Sequence, residues 1–136
     1  MTFRLSKTSN DRLAGVDDRI MQVIDLALTI SLIDFGIPAD GGLRTAKRQN
    51  ELYQQGRTTG GNIITHADGY DKKSVHQSGK AFDVFAYVNG KASWRIDHLT
   101  QVANAILTAA DELNVPLVWG GSWKGFKDLP HFEIRD

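Results

Sequence analysis

The chain has 136 residues, 41% of them hydrophobic, enough to build one packed core and too many for a disordered polymer. Sixteen basic residues balance sixteen acidic ones, so no cationic excess marks a nucleic-acid or membrane-surface binder. There is no cysteine, which excludes disulfides, thiolate catalysis and cysteine-rich metal sites.

The opening stretch "MTFRLSKTSNDRLAG" has no apolar signal core, and no later run is apolar enough to span a bilayer. The expectation is a single domain over residues 1–136, made in a cytoplasm without a signal peptide. Leu13, Val16, Ile20, Val23, Ile24, Ala27 and Leu28 recur at three- and four-residue steps. They predict an amphipathic helix from about Ser9 to Ser31, capped by Ser9 or Asn10. "DFGIPADGGLRT" reads as a short strand and a turn. Thr45 then caps a second helix, "AKRQNELYQQ", which Gly56 ends in a left-handed conformation. Residues 57 to 75 show no period and read as a long surface loop.

A strand is expected from about Lys80 to Val88, followed by Asn89-Gly90, the favoured two-residue hairpin turn, and a return strand near Lys91 to Trp94. Asp97 caps a third helix carried by Leu99, Val102, Ile106, Ala110 and Leu113. "VPLVWGG" and "HFEI" supply two more strands; Pro130 places the second at a strand start or a sheet edge. With one clear hairpin and no regular alternation of helix and strand, the pattern predicts an α+β fold, a small antiparallel sheet flanked by helices.

The segment "SVHQSGKAFDVFAY" sets His76 and Asp83 seven residues apart at the mouth of an apolar strand. Imidazole and carboxylate are ordinary zinc ligands, and a catalytic zinc takes three protein ligands plus water. His131, at the start of the last strand, is the third candidate. A lone histidine is more often a hydrogen-bonded surface residue than a ligand, and spacing alone divides the two readings evenly. Asp83 is harder to dismiss, because a carboxylate in apolar company needs a partner or a metal, but the balance stays even.

The ordered pattern Ser74-x-His76-x-x-Gly79-x-Ala81-x-Asp83, followed downstream by Asp128-x-x-His131, resembles the zinc peptidases of the D-alanyl-D-alanine carboxypeptidase family. That family includes phage L-alanyl-D-glutamate endopeptidases and has the hedgehog/DD-peptidase fold. "GLRTAKRQNELYQQG" is similar to the family's Arg-Thr turn and following helix, so the likeness runs from Gly42 to the end of the chain. It implies zinc held by His76, Asp83 and His131, with Asp128 as general base. It also supports a substrate role for Arg44, with Gln49 a weaker candidate of the same kind and Ser74 a candidate to orient substrate or hydrogen-bond near the metal. The surface alternatives are an Arg44 paired with Glu51 or Asp40, an exposed helical Gln49 and a turn-capping Ser74. Many relatives carry Asp where this chain has Ser122 in "WGGSWKGF".

Trp119 and Trp123 read equally as core or as substrate contacts. Glu133, two residues from His131 on one strand face, reads equally as a residue that orients the metal's ligands or as a solvated strand residue. His66 and His98 read as ordinary surface histidines. The resulting expectation is a monomeric zinc endopeptidase cutting between L-alanine and D-glutamate in the peptidoglycan stem peptide. It would reach the wall once the membrane is permeabilised, with no stable membrane or nucleic-acid partner. The alternatives are a D-alanyl-D-alanine carboxypeptidase or dipeptidase of the same family and a non-catalytic wall-binding domain with structural zinc.

Overall fold

Two amphipathic helices and two small antiparallel sheets close over one core in the computed structural model, which describes residues 2–125 and 127–136. In chain order the elements are α1 (Lys7–Arg12), α2 (Asp18–Ile30), β1 (Asp34–Gly36) and α3 (Ala46–Gln54). A 3₁₀ turn (Val75–Ser78) precedes β2 (Ala81–Asp83), β3 (Phe85–Val88), β4 (Lys91–Ser93) and α4 (Ile96–Glu112). The chain ends with β5 (Leu117–Trp119), a second 3₁₀ turn (Gly120–Ser122) and β6 (His131–Ile134). One sheet has the order β1-β3-β4 and the other β2-β6-β5.

The core lies where α2 crosses α4 above the second sheet. Ile20, Val23, Ile24 and Ala27 of α2 and Val102, Ala103, Ile106 and Ala109 of α4 are fully buried. Phe82 and Phe132 stack across the β2–β6 pair with centroids 5.2 Å apart. Each buried Val, Ile or Phe side chain contributes about 1.5–3 kcal/mol. Among the described residues no helix is long and apolar enough to cross a membrane.

Two expected elements are broken in the structure. The first helix is two, because Gly15 takes a φ of 86° and Asp17 starts a new helix by accepting the Arg19 N–H at 2.9 Å. Its first cap is Ser6 rather than Ser9 or Asn10. The long strand is also two. The Asp83 N–H donates to the Gly41 carbonyl and the Val84 N–H to the Pro130 carbonyl, so the chain leaves one sheet at Asp83 and enters the other at Phe85. Gly56 is left-handed as expected, but one residue beyond the cap of α3 at Gln55.

Asp97 does not cap α4. It sits in the first turn, fork-bonded to Arg95, where its charge still favours the positive end of the helix. Asn89 and Gly90 have φ of 53° and 77°, the left-handed pair that a tight hairpin between β3 and β4 needs. Pro130 stands just before β6, which begins there and lies at the centre of its sheet.

Candidate metal centre

Three elements bring the site together. Ser74 caps the first 3₁₀ turn and forms a reciprocal capping box with Gln77, which fixes the backbone of His76. Gly79, left-handed at 75°, ends that turn and directs the chain into β2. Asp83 is the last residue of β2 and stands directly opposite His131, the first residue of β6. One ligand atom from each of His76, Asp83 and His131 lies within 4.8 Å of the other two.

The outer partners of the two rings decide what faces inward. His76 Nδ1 lies 2.9 Å from the Gly42 carbonyl, which can only accept, so this nitrogen carries the proton and Nε2 is a bare lone pair. His131 Nε2 lies 2.8 Å from the Glu133 carboxylate and Nδ1 faces Asp83, so a neutral ring protonated at Nε2 turns the Nδ1 lone pair inward. Those two inward nitrogens stand 3.4 and 3.1 Å from Asp83 Oδ1. With both rings neutral and protonated on their outer nitrogens, three lone pairs converge, and a shared cation, a proton or a divalent metal ion, offsets their repulsion. The donor set fits a divalent metal.

Without a metal, burial opposes the charge of Asp83, but hydrogen bonds shared with His131 and His76 hold its carboxyl far below the usual carboxylate range. Burial likewise opposes protonation of His131, yet Asp83, Glu133 and Asp128 together carry its pKa upward. Arg135 Nε donates to the other oxygen of Glu133 at 3.0 Å, so a chain Arg135–Glu133–His131 orients the imidazole from behind.

An open cleft of about 670 Å³ borders the triad. Asp128 lines it, and its pKa is raised, first by burial and then by the charge of Asp83, against the pull of His131, His76 and Arg44. Its position follows from a tight crossing: Asp128 N–H donates to the Gly120 carbonyl, and a Cβ on Gly120 would collide with the Asp128 carbonyl. That contact explains the first glycine of "WGG".

Arg44 is partly buried in the cleft wall. Its Nε donates to the Asp40 carbonyl, Nη1 to Gln49 Oε1 and Nη2 to Asp83 Oδ2 at 3.3 Å. Gln49, expected at the substrate, is instead fully buried beneath Arg44, and its amide nitrogen donates to Thr65 Oγ1 and the Ala67 carbonyl. Ser74 lines the cleft while its hydroxyl caps the turn.

Trp119 packs on Phe132 and donates to the Leu129 carbonyl, a core role. Trp123 lines the cleft with its ring 5.4 Å from that of His131. His98 is remote, bonded to Ser93. His66 is exposed yet lines the cleft, a placement the irregular loop concealed in the sequence.

Comparison with known proteins points to one family. The chain is 38% identical over 109 residues to the peptidoglycan L-alanyl-D-glutamate endopeptidase CwlK of Bacillus subtilis, covering 68% of this chain and 57% of that protein. It is 31% identical over 136 residues to the L-alanyl-D-glutamate peptidase of Escherichia phage T5, covering 99% of this chain and 91% of that one. The solved structure of the Serratia marcescens L-Ala D-Glu endopeptidase ChiX superposes with a TM-score of 0.77 at 35% identity, over 99% of this chain and 90% of that one. The model of the phage L-alanyl-D-glutamate peptidases matches residues 1–135, and with it this chain belongs to that family.

Proposed function

We propose that the chain is a zinc-dependent endopeptidase that hydrolyses the L-alanyl-D-glutamate bond of peptidoglycan stem peptides. The observation that carries the reading is the convergence of three potential ligand atoms, from His76, Asp83 and His131, on one wall of a cleft that also holds Asp128. Two neutral imidazoles and a carboxylate suit zinc, with a further coordination position left for water. Bound there, zinc would act as a Lewis acid on the scissile carbonyl and bring a water's pKa to about 7.

The chain's own residues do the rest. Asp128 takes the proton of the attacking water and passes it to the leaving nitrogen. Its raised pKa favours holding that proton between the two transfers. Arg44 keeps the Asp83 carboxylate turned toward the site and gives the cleft a positive wall. Gln49 positions Arg44, and Glu133 positions His131. Ser74 acts on His76 through the turn it caps. All of these groups come from one polypeptide, which supports a monomeric catalytic domain. The likeness to the phage T5 peptidase supports action on the wall after synthesis in a host cytoplasm.

The test is product analysis by mass spectrometry after purified peptidoglycan is incubated with zinc-loaded wild type and Asp128→Asn. The expected products carry a new D-glutamyl N-terminus, and the variant, with zinc retained, is at least about a hundredfold slower. Release of free D-alanine would replace the reading with a carboxypeptidase. Equal absence of cleavage in both proteins would leave a binding domain.

A further inference from the structure

Lys72 and Lys73 line the cleft from the long loop, and both are exposed. Among the described residues, the ion pairs leave both ammonium groups without a carboxylate partner. The backbone of Lys72 is nonetheless held firmly, and Lys73 follows it directly. Asp68 Oδ1 accepts from the N–H groups of Tyr70 and Lys72, and the Gly69 N–H donates to the Lys72 carbonyl, closing a small turn. Asn50 of α3 donates to the Asp68 carbonyl, and Gln77 beside His76 donates to the Gly69 carbonyl. Gly69, at a φ of 91°, lies so close to α3 that a Cβ would come within 2.6 Å of the Ala46 carbonyl. A turn clamped from both sides, carrying two free cations at its end, is preorganised to receive an anion.

The other cations of the cleft wall are engaged. Arg44 spends each of its nitrogens on Asp40, Gln49 or Asp83, and the neighbouring Asp40 carboxylate is forked by Arg48. The substrate supplies the matching charge. The bond between L-alanine and D-glutamate uses the glutamate's amino group, and only one of its two carboxyls can continue the peptide. The other remains on the residue that carries the leaving nitrogen. We propose that Lys72 and Lys73 form the subsite that binds this free carboxylate and so select D-glutamate in the leaving position. The inference rests on the endopeptidase reading above.

The test uses two synthetic stem peptides that differ only there, one with the free carboxylate and one with a neutral carboxamide. Wild type should cut the acid with a kcat/KM about tenfold higher, mostly through KM, and the preference should shrink as salt is added. Lys72→Met/Lys73→Met should bring the acid peptide down to the rate of the amide and leave the amide unchanged. Lys72→Arg/Lys73→Arg should keep the preference. Calorimetry in an Asp128→Asn background should show the same loss of affinity for the acid peptide alone. A double methionine variant that treats both peptides as wild type does, or slows on both equally, overturns the subsite while the endopeptidase reading stands. Wild type that cuts neither peptide removes both.

Discussion

At the scale of single residues, the site works through protons fixed from outside. Glu133 and the Gly42 carbonyl each take the outer N–H of a ring and turn the other nitrogen inward. Glu133→Gln keeps the shape but removes the charge that makes His131 a better donor. Metal affinity should fall at least about tenfold, measured by competition with a chromophoric chelator, with the circular dichroism unchanged. Gln49 is the second test. It is fully buried with both ends of its amide bonded, so Gln49→Leu strands Arg44 and the loop carbonyl of Ala67 together. The expected cost is about 1–3 kcal/mol in denaturant unfolding, with faster proteolytic nicking between residues 57 and 75.

At the scale of elements, caps and crossings decide where the ligands stand. Asp17 begins α2 and pairs with Arg19, and hydrogen bonds from that residue lower its pKa from 3.8 to about 2. A pKa lowered on folding means the contribution is complete above about pH 4 and is lost as pH falls through 2. Asp17→Asn retains a cap without the ion pair, so its stability should approach that of wild type as the pH drops from 5 to 2. Asp17→Ala should cost about 1 kcal/mol at neutral pH. Gly120→Ala forces the Asp128 turn away and should reduce turnover more than stability; unchanged kcat would show that the crossing does not position the base.

How much of this was legible in the sequence depends on how local each cause is. The Asn89-Gly90 hairpin and the Thr45 cap are set by residues next to one another, and both are where the pattern puts them. The break at Gly15 has local signals, the glycine and the Asp17 cap, which the apolar stripe continuing across them masks; the break at Val84 was not legible, because the partners there are Gly41 and Pro130, distant along the chain. The ligand residues could be named from their spacing and their resemblance to known peptidases. The burial of Gln49 and the arrival of His66, Lys72 and Lys73 at the cleft depend on the path of an aperiodic loop.

For the whole molecule, the triad ties a loop turn, a central strand and its neighbour across large sequence separations. Binding of an ion to the folded state alone must raise its stability. Chelation, with metal loss confirmed by elemental measurement, should lower Tm by several degrees, and restored zinc should return it. An unchanged Tm would mean that the three side chains are held in place by the fold alone.

The direct pairing of Asp83 with His131 across β2 and β6 has a kinetic corollary. Side chains alternate between the faces of a sheet, so sliding one strand by a single position would send one of the two groups to the wrong side. A chain with misaligned strands therefore cannot seize the ion, and uptake during refolding would count only molecules whose register is already correct.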